Sequence, residues 1–126
     1  VPLSACYAEA RSEDWSTDLV SQFGSAEEYA RRGLGFGLRL DGILVSGASS
    51  YTIYNQGIEI EIDTRPGFWR RGYAAVCASR LILECLSRGL YPSWDAANPA
   101  SKALAEKLGY RFSHAYPAFR LYPLGE

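Results

Sequence analysis

Methionine is absent from the 126 residues, and histidine occurs once, at His114. The missing methionine implies either a removed initiator or an origin in a longer protein. His114 lies in a strand-like run near the end and reads as a structural or surface residue. An excess of charge of either sign is lacking too: 13 basic residues face 14 acidic ones, the net charge is -1, and no long Lys/Arg run occurs. That balance argues against general binding to nucleic acid or to an anionic membrane. No apolar run approaches the length of a membrane span, and the opening "VPLSACYAEA" lacks the basic start and apolar middle of a signal peptide. The expectation is a soluble, cytoplasmic protein. Cysteine is scarce and odd in number: Cys6, Cys77 and Cys85 have no metal-type spacing, and the last two fall within one helical pattern. They read as reduced core residues, with no metal centre. No repeat, low-complexity stretch or Pro/Gly/Ser-rich linker divides the chain, so residues 1–126 are expected to form a single domain.

What is present is a regular grammar of starts and stops. Residues 3 to 8 suggest a short strand. "SEDWSTDLVSQFGS" has a Ser/Asp-type helix start and stops at Gly24; "SAEEYARRG" repeats this with Ser25 as N-cap, Glu28 at the capping-box position and Gly33 as stop. "GFGLRL" and "ILVSGASSYTIY" flank the hairpin signal Asp41-Gly42, and Asn55-Gln56-Gly57 turns the chain into "IEIEID", making a meander of antiparallel strands. Gly33, Gly35 and Gly37 precede a strand instead of opening a helix, which excludes a dinucleotide fingerprint. Residues 72 to 88 carry a helical pattern, with Ala74, Ala78, Leu81, Ile82 and Cys85 on one face, Arg80, Glu84, Ser87 and Arg88 opposite, and Gly89 as stop. "LYPSWDA" predicts a short strand, "NPASKALAEKLG" a helix, and "YRFSHAYPAFRLY" two strands broken near Pro117. Strands followed by alternating helix and strand imply a mixed α/β sheet with helices on its faces.

Two stretches carry chemistry. In "IEIEIDT", Ile58, Ile60 and Ile62 share one face, and Glu59, Glu61 and Asp63 the other. A strand inside a helix-covered sheet should be apolar on both faces. A carboxylate row therefore points either to a wet cleft, where like charges raise proton affinity and make a base available near neutrality, or to a plain solvent-facing side. Next comes "DTRPGFWRRGYAAV", where Pro66-Gly67 turns the chain past Arg70 and Arg71 into a helix opened by Gly72, Tyr73, Ala74 and Ala75. Free N–H groups at a helix start, its positive dipole end and nearby guanidinium groups favour an anion such as pyrophosphate, and small residues let it approach the main chain. A solvated basic loop is the bland alternative. Asp95, after Trp94, has two readings open: orienting an amine, or starting a turn or helix.

The strand, Arg/Gly turn and helix resemble motif A of the GNAT N-acetyltransferase superfamily, whose pattern is Gln or Arg, two free positions, Gly, one free position, then Gly or Ala. Here it reads "WRRGYA", with Trp69 in the leading place and arginine one place later. "NPASKALAEKLGYRF" is similar to a second superfamily segment, with Asn98, Ser101, Leu104, Gly109 and Tyr110 in register. Ala105 stands where the superfamily often has a tyrosine that protonates the leaving thiolate; Tyr110, Tyr116, Tyr54, a water or an unassisted departure are the substitutes. "GIEIEIDT", "LILECLSRGLYPSWDAAN" and "ALAEKLGY" resemble the C-terminal domain of the GNAT subgroup that includes zwittermicin A resistance acetyltransferases. Members of that group often carry a preceding region, so the chain is expected to be a shortened relative or an excised domain.

The resemblance implies a GNAT fold: a mixed, mostly antiparallel sheet flanked by helices, whose strands at 58–64 and 91–96 splay to admit acetyl-CoA. It also implies acetyl transfer to a primary amine of a small molecule or peptide by direct attack in a ternary complex. Main-chain groups of Ile62, Asp63 and Thr64 would align the pantetheine arm. Trp69, Arg70, Arg71, Gly72, Tyr73, Ala74 and Ala75 would surround the diphosphate, and Asn98, also a good N-cap before Pro99, would touch the pantetheine or diphosphate. Glu59 or Glu61 would act as general base, directly or through water. A non-catalytic acyl-CoA-binding or interaction module is the alternative. Superfamily members often form homodimers, yet no apolar stripe in the sequence marks an interface.

Overall fold

The computed structural model describes residues 1–54, 56–94, 99–113 and 118–121. Asp41 and Gly42 both take positive φ, 52° and 79°, the conformation of a tight hairpin turn. They join β1 (Gly35–Leu40) to β2 (Ile43–Tyr54) in antiparallel register. β3 (Gly57–Thr64) returns antiparallel to β2, pairing Ala48 with Ile62 and Gly47 with Asp63. A long helix, α3 (Tyr73–Ser87), crosses over to β4 (Tyr91–Ser93), which lies parallel to β3. The strand order is β1-β2-β3-β4, mixed and mostly antiparallel as the α/β reading expected. A further helix, α4 (Pro99–Lys107), leads to the separate antiparallel pair β5 (Tyr110–Ser113) and β6 (Ala118–Leu121).

β3 and β4 pair only over Gly57–Glu59 and Tyr91–Ser93, so the later half of β3 runs on beside no described strand on that edge. This is the splay on which the site depends.

Alternation along β3 separates its faces. Ile58 and Ile60 are buried with Ala48 and with Ala78, Leu81, Ile82 and Cys85 of α3, four of the five residues whose periodicity marked one face; Cys77 joins them, whereas Ala74 at the helix start is only partly buried. All the cysteines are free and buried. The N-terminal segments cover the other side of the sheet, around Leu3, Tyr7, Leu19 and Tyr29. Glu84 on the polar face of α3 pairs with Arg80 and Arg88 at 2.9 Å each. Beside them Val76, Leu83 and Leu86 stay exposed, an apolar stripe that the sequence reading did not single out.

The N-terminal expectations need correcting. Residues 3 to 8 are not a strand: Leu3–Cys6 form a 3-10 turn that leads into α1 (Tyr7–Arg11). Leu3, Cys6, Tyr7 and Ala10 follow helical spacing, and all are buried. "SEDWSTDLVSQFGS" does not form a full helix but a single 3-10 turn at Thr17–Leu19. Buried Ser16 donates its hydroxyl to the carbonyl of Ala10 at 2.6 Å, drawing the chain into tight i+3 bonds, Leu19 to Ser16 and Val20 to Thr17. The next helix, α2 (Ala26–Arg32), begins as read, with Ser25 Oγ accepting the Glu28 N–H at 3.1 Å and the Glu28 carboxylate accepting the N–H of Gly24. No helix among the described residues is long and apolar enough to cross a membrane.

Candidate active site

At the splay, a cavity of about 780 Å³ is lined by the end of β3, the turn after it and the first residues of α3. The turn delivers the chain in an unusual geometry. Arg70 has φ 62° and Gly72, the N-cap of α3, has φ 82°; both are left-handed, a conformation glycine accepts without strain. Among the described residues no side chain caps α3, and a Cβ on Gly72 would meet nothing within 4 Å. The helix start thus faces open space with its first N–H groups lacking intrahelical partners, and Arg70, Gly72, Tyr73, Ala74 and Ala75 line that space.

The arginines divide their work. Arg70 lines the cavity, while Arg71 lies with its Cζ 5.7 Å from the centre of the Phe68 ring. Arg65 turns away from anion binding altogether: it forms a two-pronged pair with Glu13, at 2.9 and 2.6 Å, and donates its Nε to the carbonyl of Leu44 at 2.9 Å. Trp69 folds back so that its Nε1 donates to the Thr64 carbonyl at 2.9 Å, and its exposed ring joins the cavity wall.

Ile62, Asp63 and Thr64 all line the cavity. The Arg65 N–H bonds back to Val45 of β2 at 2.8 Å. By strand alternation the main-chain groups of Ile62 and Thr64 then turn toward the opposite edge, the one that splays from β4.

On the acidic face the structure distinguishes the carboxylates. Glu59 is exposed, Glu61 and Asp63 are partly buried, and only Asp63 lines the cavity. Burial pushes the Asp63 carboxyl up to about 8, and a hydrogen bond to Glu61, the charge of Glu61 and that of Asp18 act in the same direction. Asp63 Oδ2 is buried without a partner among the described residues. The sequence reading counted Asp63 in the acidic row but named Glu59 or Glu61 as the base and gave Asp63 a main-chain role. Its signal was its place at the end of the acidic row, where the strand leaves its neighbour.

Trp15, Leu104 and Lys107 also line the cavity and were not foreseen as site residues. Ala105 is buried in the core. Of the substitute acids, Tyr110 donates its hydroxyl to the Pro92 carbonyl at 2.6 Å, and Tyr54 shares a 2.9 Å hydrogen bond with Ser93. Asp95, Asn98, His114, Tyr116 and Pro117 lie outside the described residues.

A family model described as GNAT acetyltransferase matches residues 3–119. An uncharacterised N-acetyltransferase of Bacillus subtilis, YdfB, is 31% identical over 99 residues, covering 77% of this chain and 38% of YdfB. The crystal structure of a GCN5-related N-acetyltransferase-like protein from Streptococcus suis is 44% identical, with a TM-score of 0.81, covering 95% of this chain and 45% of that one. The chain therefore spans less than half the length of either relative. The structure of YncA from Salmonella typhimurium, which contains its cofactor acetyl-CoA, shares the fold at a TM-score of 0.62 and 19% identity.

Proposed function

The chain belongs to the GNAT acetyltransferase family, and from that premise we propose that it transfers an acetyl group from acetyl-CoA to a primary amine of a small molecule or peptide, by direct attack in a ternary complex. The carrying observation is the uncapped start of α3, which opens with left-handed Gly72 and with Arg70 into the cavity at the β3 splay. The fit is physical: a diphosphate takes N–H groups and a cation, and Gly72 leaves room for it. We also place the chain near the subgroup that includes zwittermicin A resistance acetyltransferases, on the segments "GIEIEIDT" and "ALAEKLGY", and expect it to act in the cytoplasm.

Acetyl-CoA, when bound, supplies an acetyl group activated as a thioester. The residues around α3's start, Arg70 and Gly72 to Ala75, hold the diphosphate, with Arg71 and Trp69 at its margin and Asn98 as a further contact. Main-chain groups of Ile62 to Thr64 align the pantetheine arm, and the Ile62 N–H is offered to the negative charge that develops on the carbonyl oxygen. The acidic face prepares the nucleophile. Asp63, hydrogen-bonded to Glu61, accepts a proton from the ammonium so that the neutral amine can attack, with Glu59 at the outer end of the row. Holding both reactants in one cavity supplies much of the acceleration.

A non-catalytic acyl-CoA-binding module is the second reading. It is favoured by the burial of Ala105 and by the engagement of the Tyr110 and Tyr54 hydroxyls elsewhere. Turnover with amines separates the two. The first test is thermal unfolding with and without acetyl-CoA, in the parent and in Gly72→Glu. At 100 times Kd the linkage gain is about 2.7 kcal/mol, several degrees in midpoint. A shift in the parent that a folded Gly72→Glu loses is the expected result. No shift at saturating acetyl-CoA refutes the acetyltransferase reading and the acyl-CoA-binding one, and leaves an interaction module.

A further inference from the structure

Arg65 is the arginine of the turn that the anion site does not use, and its surroundings show another purpose. Its backbone N–H and its Nε are both bonded to β2, at Val45 and Leu44. Its guanidinium meets Glu13 through two hydrogen bonds and lies over the Trp15 ring, 5.3 Å from the centroid. Glu13 in turn accepts the indole N–H of Trp15 at 3.3 Å, while its carbonyl accepts the N–H of Thr17 at 2.9 Å. Trp15 is thus held from above by a cation and at its edge by a carboxylate, and both holders are tied to the backbone. An isolated surface ion pair contributes little, but a two-pronged pair with a third fixed bond orients what it touches.

The face on which this happens matters. Trp15 packs against the N-terminal cluster, and Asp63 points to the same side of the sheet, opposite Ile60 and α3. Gly72 and Ala74, at the anion end, belong to α3's side of the same cavity. We propose that Glu13 and Arg65 are positioning residues that hold Trp15 as the acceptor wall of the cavity, and that the acceptor is a primary amine carried on a planar or apolar body. This rests on the acetyltransferase reading above and narrows its substrate. Asp63, with Glu61 and Asp18 near it, suits the ammonium; an indole wall whose N–H is already given to Glu13 suits a flat or apolar body, which putrescine lacks, and offers the hydroxyls of an amino sugar no partner.

The test uses 2-phenylethylamine and putrescine as probes. Calorimetry measures their binding to the protein saturated with CoA, where no turnover intervenes, and initial rates with acetyl-CoA give KM and kcat. 2-Phenylethylamine is expected to bind at least about tenfold more tightly than putrescine. Glu13→Gln, Arg65→Met and Trp15→Ala should each raise its Kd and KM about tenfold while leaving acetyl-CoA affinity within about twofold. Trp15→Phe should retain most binding, and Arg65→Lys, which keeps the charge but loses the two-pronged bond, should fall between parent and Arg65→Met. Melting curves establish that each variant is folded. Equal or tighter binding of putrescine overturns the proposal, as does a clamp variant that weakens acetyl-CoA as much as the amine. Absence of acetyl-CoA binding in the parent removes the acetyltransferase reading and this proposal with it, whereas loss of the amine preference with acetyl-CoA binding intact overturns this proposal alone.

Discussion

Replacing Asp63 by asparagine should stabilise the protein at alkaline pH and leave it nearly unchanged in acid. In the folded chain the carboxyl is raised from 3.8 to about 8, chiefly by burial and then by Glu61 and Asp18. Below pH 3.8 it carries its proton in both the folded and unfolded states. As pH rises from there toward 8 the unfolded chain releases the proton and the folded one keeps it, so folding loses stability across that window and levels off above it. About four pH units at ~1.4 kcal/mol each set a ceiling near 6 kcal/mol. Because the side chain is only partly buried, solvent screening reduces this to about 2 kcal/mol. Asparagine has the same shape, can donate to Glu61 and never ionises. For a domain of this size the gain corresponds to about 6–8 °C in midpoint. The assay is thermal unfolding of ligand-free parent and variant at pH 4, 6, 7.5 and 9, read as the difference in Tm so that titrating groups remote from Asp63 cancel. A difference near zero at pH 4 that grows to several degrees at pH 9 is expected. A flat difference, or a variant less stable than the parent at pH 9, refutes the reasoning.

If Asp63 takes the ammonium proton, kcat should rise with pH to a plateau above about 8; Asp63→Asn should lose this rise, and Glu61→Gln should move it to lower pH by removing the neighbouring charge and hydrogen bond. Glu59→Gln is expected to change the profile least, and pH–rate curves unchanged in both Glu61→Gln and Asp63→Asn would sink the assignment. Ser25→Ala removes the cap of α2 and should cost about 1 kcal/mol in denaturant unfolding. Gly35→Ala places a methyl 2.8 Å from the Ala48 carbonyl oxygen and 2.7 Å from Leu3, so a loss of about 1–3 kcal/mol is expected, and a neutral result in the same unfolding assay would show that β1 and β2 can part there.

Local chemistry was legible wherever one short stretch held the whole signal. Asp41-Gly42 set its hairpin, Ser25 and Glu28 their capped helix, and the periodicity of residues 73 to 87 its buried face. The stretch before Gly24 was misread because the decisive bond, from the Ser16 hydroxyl to the Ala10 carbonyl, belongs to the packed state and not to a local pattern. The exposed stripe on α3 escaped for a similar reason: Val76, Leu83 and Leu86 look like core residues until the sheet is seen to lie on the other side.

The site divides along the same line. The order of strand, Arg/Gly turn and helix, the acidic row on β3 and the likeness to the GNAT superfamily were all present in the sequence, because backbone conformation and alternation are properties of neighbours. Which arginine faces the cavity, which carboxyl keeps its proton and which aromatic forms the wall were decided only by tertiary structure. Arg65 is taken by Glu13 and Trp15, from 52 and 50 positions earlier, and Asp63 is set apart from Glu59 by burial where β3 leaves β4. Charge, desolvation and orientation depend on what lies within a few ångströms in space, and for these residues those neighbours come from distant parts of the chain.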